Sequence, residues 1–543
     1  MVRSLGLVAI IFTLVACAAE PLPEVPVNAP APAGAILRVA LENNPLSIDP
    51  RFVRDDEGEQ IVDALFDPLV RLDGGFRIVP AAAESWDIDD TGLRYTFTLR
   101  KATFHDGSPV TAQDFVRAFN GITDGTSTPR SYLEYLLRDV AGITNAQRFG
   151  TPLSGVRALD PQTLEITLRR PRAAFLELLT DPSLAPIPAA AENDPESFAL
   201  APIGNGPFQM VGVYEPGAFI RLARNTDHHM PPQIDEVIFT IFANDPTREA
   251  QWRAFTDGQI HVAYVPPQRR SEAIRRFGMV AGGDRSHGVV TDLTSAVYLY
   301  VIDVQTPPFT DVRARQALSL AIDRELLAAE VMGGTRVAAT SYLPPSLPGA
   351  LTSPCSHCTP DSARARELFA DAVAATEADP DLILNLLHPL GAVHTLIAER
   401  LASMIEQSLP ITVRFRAIDY STLANQQEQF AWSAFRLGWR SNVTDAAEYL
   451  EPLFGGSLAD GDSLLGQDES VFDEPLILNR GIKSALIRQF LYQQLERELL
   501  EEAIVLPILW YRHERIIATD LADAHISPFG RLNLSEISMQ TSS

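Results

Sequence analysis

The chain has 543 residues, 46% of them hydrophobic and 8% aromatic, so most of it folds, and into more than one core. The formal net charge of -25 is spread along the sequence, which argues against electrostatic binding to nucleic acid or to an anionic membrane surface.

At the N-terminus Arg3 precedes an apolar run from Leu5 to Ala16, too short for a permanent membrane span. The run ends in Leu14-Val15-Ala16-Cys17, which resembles a bacterial lipobox and predicts a signal peptide over residues 1–16 with lipid on Cys17. The alternative is an ordinary secretory signal with an incidental cysteine. Acyl chains on Cys17 would anchor the protein in a membrane. Residues 17–34 are Pro- and Ala-rich and predict an extended tether. No later run of about 18 apolar residues follows.

From Ile36 the pattern turns globular. Ile36 to Leu41 has strand character. Leu93 to Arg100 alternates, placing Leu93, Tyr95, Phe97 and Leu99 on one face, and Thr163 to Arg170 does the same through Leu164, Ile166 and Leu168. Thr111 and Asp114 form a capping-box pattern that opens a helix through Phe115, Val116 and Phe119. Asp311 can cap one helix from Val312 to Met332, with Gly333 and Gly334 ending it. Further helices are expected over His394 to Leu409 and Arg488 to Ala503, and a strand over Ile411 to Ile418 with Val413 and Phe415 on its apolar face. Interleaved strands and helices predict α/β lobes.

The internal cysteines, Cys355 and Cys358, are spaced for a local disulfide; a metal or redox site with His357 is the other reading. Gly204-Asn205-Gly206-Pro207 predicts a tight turn rather than a phosphate cradle. His228 and His229 on a polar loop predict a solvated pair, with no metal. A nucleophile elbow, a P-loop and H-E-x-x-H are all missing from the sequence, so neither an enzyme nor a cofactor is expected.

The stretch from Ala81 to Phe119 closely resembles the signature region of extracytoplasmic peptide-binding proteins of ABC importers. It carries Ala83-Glu84-Ser85-Trp86, His105-Asp106-Gly107 and Pro109-Val110-Thr111-Ala112. Ser131 to Ile143, Gly204 to Phe208, Thr306 to Leu327 and the C-terminal helix and strand extend the likeness in order over nearly the whole mature chain. The resemblance implies two α/β lobes of the type II-like periplasmic-binding-protein fold, with a ligand cleft between them. The first lobe is expected over 35–65, 190–302 and 513–543, an extra subdomain on it over 66–189, and the second lobe over 303–512. It further implies a monomer that passes peptides, oligopeptides in the first place, to importer permease subunits. Family members also carry metal chelates, sugar oligomers and opines; a surface hydrolase is a more distant alternative.

In relatives the segment resembling Arg436 to Asn442, with Gly438 and Trp439, lines the cleft and pairs with an extended peptide as an added strand. An acid three residues after the Trp holds the peptide's α-ammonium. Here that position is Asn442, and the nearest acid is Asp445. Either Asp445 takes over the ammonium or the ligand has no free amine there; the alternative is that Asn442 and Asp445 cap the next helix. Arg440 stands where relatives have a small residue and adds a cation. Arg436 resembles an Arg that reaches the peptide carboxylate. His394 and Tyr420 fall at positions that touch ligand in relatives, or else are core residues. Arg54 to Glu57, including Asp56, is expected on a strand edge facing the cleft.

Overall fold

A computed structural model describes residues 34–73, 77–131, 133–281, 287–353, 355–379, 382–418, 433–454 and 472–540. Cys17 and Tyr420 lie outside them. In chain order the elements used below are β1 (Ile36–Leu41), α1 (Asp56–Leu65), β2 (Ala83–Ile88), β3 (Arg94–Leu99), α2 (Ala112–Thr123), β4 (Val156–Asp160), β5 (Thr163–Thr167), β6 (Phe208–Met210), β7 (Phe219–Arg224), β8 (Glu236–Ile241), β9 (Val262–Tyr264), β10 (Gly288–Ile302), α3 (Val312–Leu320), β11 (Ile383–Pro389), α4 (Ala392–Ser408), β12 (Thr412–Ile418), β13 (Ala434–Arg440), α5 (Ala447–Phe454), α6 (Ala485–Glu502) and β14 (Val505–Ile517).

One 12-stranded sheet runs through both lobes in the order β12-β11-β13-β10-β14-β9-β1-β8-β7-β6 along its main path. The long strands β10 and β14 join its two halves. Their antiparallel register runs from Gly288↔Ile517 to Leu293↔Arg512, breaks, and resumes from Val297↔Trp510 to Val301↔Val505. The core changes over at that break. Val290 packs with Val39 and Ile61, whereas Val297, Leu299 and Val301 pack with Leu437 and Leu499. The second half carries apolar layers on both faces because successive β10 side chains alternate: Tyr298 and Tyr300 go to one layer, Val297 and Leu299 to the other.

A separate four-stranded sheet, ordered β2-β3-β5-β4, forms the subdomain. The alternation predicted for β3 and β5 buries Tyr95, Phe97, Leu164 and Ile166 beneath α2, in a core continuous with that of the first lobe. The capping box closes through the Asp114 carboxylate, which accepts the Thr111 N–H at 2.8 Å and the Thr111 hydroxyl at 2.7 Å.

Three expectations change. The single helix after Asp311 stops at Leu320; Asp323 caps a new turn by accepting the Leu326 N–H at 2.9 Å. The break lets the buried Arg324 guanidinium donate to the Ser319, Ile322, Cys358 and Pro507 carbonyls. Phe415 is 39% exposed; among the described residues β12 is an edge strand with a single neighbour. His228 is buried, not solvated, with Nε2 at 2.8 Å from Asp67 Oδ2.

The Gly204–Gly206 turn is structural. A Cβ at either glycine would collide with the Leu65 carbonyl region, and Asn205 exchanges hydrogen bonds with the Asp67 backbone at 2.9 and 3.0 Å. Cys355 and Cys358 are joined by a disulfide, and His357 Nε2 donates to the Leu500 carbonyl at 2.7 Å. The loop it closes is short, so its entropic contribution is at most about 2 kcal/mol. The Cys355→Ser/Cys358→Ser double variant is expected to lose no more than that in urea unfolding and to keep its ligand affinity in calorimetry. Among the described residues no helix is long and apolar enough to cross a membrane.

Candidate ligand-binding cleft

The stretch after Phe435 forms a strand. On β13, Phe435 and Leu437 enter the core beneath α5 and α6, which turns Arg436, Gly438 and Arg440 to the other face. β13 pairs along its whole length with β10, but β11 meets it only at Ala434 and Phe435. From Arg436 onward its second edge has no strand among the described residues.

Arg436 lies opposite Tyr300 and next to Tyr298. Its Cζ is 4.5 Å over the Tyr298 ring, its Nη2 donates to the Tyr511 hydroxyl at 2.7 Å, and its buried Nε has no partner among the described residues. A Cβ at Gly438 would stand 2.6 Å from Arg436 Nη2, so the glycine leaves room for the guanidinium. His394, in the first turn of α4, brings Nδ1 to 3.4 Å from the Tyr298 hydroxyl. Burial first, and the Arg436 charge second, push its imidazole down to about 4, so it is neutral at pH 7. Arg336 stacks 3.9 Å over Tyr511, and the Tyr300 hydroxyl has no partner among the described residues. This end of the cleft is therefore cationic and aromatic.

The other end is acidic. Trp439 donates Nε1–H to the Glu448 carbonyl at 2.7 Å and packs on the second-lobe core, so its part in the cleft is to fix α5 against β13. Arg440 reaches across to the first lobe and pairs with Asp56 and Glu59. Asp56 is not on a strand edge: Asp55 accepts the Gly58 N–H and starts α1, and Asp56 stands in its first turn. Asn442 is buried. Its Nδ2 donates to Asp181 Oδ2 at 3.0 Å and to Glu59 Oε1 at 3.4 Å, while its Oδ1 has no partner among the described residues. Glu59 Oε2 also lacks a hydrogen bond there, with Arg531 Nη1 3.7 Å away. Burial pushes the Glu59 carboxyl up to about 8, with Arg531 opposing the shift.

Asp445 is engaged from within the chain. Oδ1 accepts the Ala447 N–H at 2.9 Å and caps α5, and Oδ2 accepts Arg488 Nε–H at 2.7 Å. Beside it Thr444 donates to Glu177 at 2.7 Å. Further along the same contact, Asp139, Glu448 and Glu451 interleave with Arg138, Arg172 and Arg480, all nearly buried. Burial alone would raise the Asp139 carboxyl, but the Arg172, Arg480 and Arg138 charges hold it down at about 2. Arg138, Asp139 and Arg172 belong to the subdomain side and the others to the β13–α6 side, so the cluster ties the two bodies together. Val443 packs into the first-lobe core across the same contact.

Glu59 and Asp181 were not singled out in the sequence. Glu59 had a signal: it lies three residues after Asp56, hence on the same helix face. Asp181 precedes Pro182 and caps a short turn by accepting the Ser183 N–H at 2.9 Å, which reads locally as a turn residue only.

Two lobes that meet over a strand edge with no strand beside it among the described residues, with arginines and tyrosines at one end and a mixed cluster of acids and arginines at the other, suit a binding protein for a small solute. Residues 77–460 match the model of bacterial extracellular solute-binding proteins, family 5 middle, and the chain belongs to that family. It is 29% identical over 505 residues to the probable deoxycholate-binding periplasmic protein YgiS of Escherichia coli (strain K12), covering 90% of each chain. To the periplasmic oligopeptide-binding protein OppA of the same strain it is 28% identical, covering 87% of this chain and 86% of OppA. The fold matches the solved structure of the Escherichia coli murein tripeptide binding protein MppA with a TM-score of 0.74 at 22% identity, covering 94% of this chain and 99% of MppA.

Proposed function

We propose that the chain is a lipid-anchored receptor, held at the envelope by acylated Cys17, that captures peptides in the cleft and delivers them to the permease subunits of an ABC importer. The observation that carries this reading is the polarity of the unsatisfied groups along β13. Among the described residues Asn442 Oδ1 and Glu59 Oε2 are buried acceptors at one end, faced from within the protein only by Arg531 Nη1 at 3.7 Å from Glu59, and Arg436 Nε is a buried donor at the other. An α-ammonium supplies the donors and a carboxylate the acceptors. The six-residue rise from Arg436 to Asn442 corresponds to about 20 Å of extended chain. The strand edge between them suits a peptide backbone laid alongside, whose main-chain bonds ignore side-chain identity. Relatives named for oligopeptide and murein tripeptide binding support the same class.

In this reading Glu59 and Asp181, approaching from the first-lobe side, replace the acid that relatives carry at the Asn442 position. We place the lobe boundary at the register break of β10, Thr294 to Ala296, with the subdomain over 66–189 moving with the first lobe. Ligand contacts made only when the lobes meet favour the closed form, which the importer reads.

Calorimetry with a free peptide and its N-acetylated twin tests the assignment. Glu59→Gln is expected to narrow the affinity gap between the two, by less than the roughly 2–5 kcal/mol of a preformed buried charge pair, because burial keeps the free Glu59 carboxyl protonated at pH 7 and the ammonium must first displace that proton. Asp445→Asn is expected to weaken both equally, because it orphans Arg488 rather than a ligand group. An unchanged gap in Glu59→Gln overturns the role of Glu59. A second reading rests on Arg440, which already occupies Asp56 and Glu59, and on Arg336 and Arg436 stacked on tyrosines. It is an anionic, partly apolar solute, the class of the ligand in the name of YgiS. Binding of deoxycholate with no binding of either peptide would establish it.

A further inference from the structure

Asp67, His228 and His229 converge at the junction of the first lobe and the subdomain, and none of them takes part in the cleft. Asp67 follows α1, and its backbone is clamped on both sides by the buried Asn205 side chain. The two histidines sit on the turn after β7. Asn225 fastens that turn to the Gly204–Gly206 segment, donating its N–H to Pro207 at 2.8 Å and its Nδ2–H to Gly206 at 3.0 Å. His228 Nε2 lies 2.8 Å from Asp67 Oδ2, and His229 Nδ1 lies 3.7 Å from the same oxygen. The three ligand-type atoms are all within 4.8 Å of one another.

We propose that Asp67, His228 and His229 form a binding site for a divalent transition-metal ion, zinc in the first instance, with its fourth position open to solvent beside His229. Zinc–nitrogen and zinc–oxygen bonds of about 2.0–2.2 Å in a tetrahedron put neighbouring ligand atoms about 3.3 Å apart. The observed 2.8 and 3.7 Å bracket that value, so an ion enters with sub-ångström adjustments. His228 Nδ1 is 2.9 Å from the Met230 carbonyl. A backbone carbonyl on the far nitrogen is the outer contact that fixes a metal-ligating tautomer and aims the Nε2 lone pair inward. In that tautomer a lone pair faces a carboxylate oxygen, two acceptors in contact, and a cation between them resolves the conflict. A proton on Nε2 would do the same, with Nδ1 accepting the Met230 N–H at 3.3 Å; that is the competing structural role. Two imidazoles favour zinc, nickel or copper over magnesium or calcium. The charges of Arg71 and Arg100 act on this cluster, so binding is expected to be reversible by chelators.

The test uses the mature protein without its lipid, titrated with cobalt(II) as a spectroscopic probe and with zinc as competitor. Expected are visible d–d bands that saturate at one ion per chain and disappear on zinc addition, and a zinc-dependent rise in the unfolding midpoint. His229→Ala, at a partly exposed position, should fold normally and weaken binding about tenfold or more; Asp67→Asn should do likewise. The Cys355→Ser/Cys358→Ser variant should bind as wild type does, which separates this site from the Cys355, His357 and Cys358 group. Lack of saturable binding by wild type, binding that survives His229→Ala, or binding lost with the cysteines would each overturn the proposal. The outcome is independent of what occupies the cleft.

Discussion

Asp139→Ala is expected to open the protein. Asp139 lies between Arg172 and Arg480, with all three side chains at most 6% exposed. Removing one partner of such a group leaves a buried charge uncompensated and costs roughly 3–5 kcal/mol. Here the molecule has an escape. Arg172 lies on the side of the four-stranded sheet and Arg480 on the β13–α6 side, so parting the two hydrates both guanidiniums. The cost therefore falls mainly on the closed form relative to the open one, and about 3 kcal/mol shifts that ratio more than a hundredfold. Small-angle scattering should show a larger radius of gyration for Asp139→Ala than for wild type, with urea midpoints reduced far less than 3–5 kcal/mol implies. Unchanged scattering with a large fall in stability would mean that the cluster holds a rigid unit rather than a closing interface. Acid acts on the same group. Because the Asp139 carboxyl is held down at about 2, its stabilisation is complete above the ordinary Asp value and is lost as pH falls from there towards 2.

Local rules were enough for much of the fold. Alternation on β3 and β5 gave both the strands and their buried faces, and the Thr111–Asp114 pattern gave the start of α2, because period and capping are short-range properties. The break after α3 was illegible for the opposite reason. Apolar spacing continues through Ile322 and Leu326, and what ends the helix is Arg324, whose acceptors include Pro507, 183 residues away in sequence. The cleft divides the same way. Family resemblance marks Arg436, Gly438 and His394 as candidate positions, all of them on one lobe. Glu59 and Asp181 lie 383 and 261 residues from Asn442, and no spacing rule links them. Asp445 was ambiguous because its partner Arg488 sits on a helix 43 residues on. The strand edge expected at Arg54 to Glu57 is the start of α1, set by the Asp55 cap.

Those two acids change what Asn442→Asp should do. On sequence alone the substitution restores the acid of relatives and simply strengthens ammonium binding. In the structure the new carboxylate would stand where Asn442 Nδ2 now donates to Asp181 at 3.0 Å and towards Glu59. The new carboxylate and Asp181 repel in a buried site, where burial already holds the Glu59 carboxyl up at about 8, and the Arg440 and Arg531 charges answer only part of that. The closed form without ligand should therefore be destabilised, and an N-acetylated peptide, which brings no charge, should bind more weakly than to wild type. A peptide with a free α-ammonium brings the missing cation, so for it the loss should vanish or become a gain. The affinity gap between the two peptides should widen by roughly 2–5 kcal/mol, the value of a close charge pair in a desolvated contact. Arg440→Met should widen it further, since it removes the internal cation that Asp56 and Glu59 now share. Calorimetry on the same peptide pair reads both variants. A gap unchanged in both would show that no ligand ammonium reaches Asn442 and would favour the second proposed ligand class, an anionic solute, over a peptide.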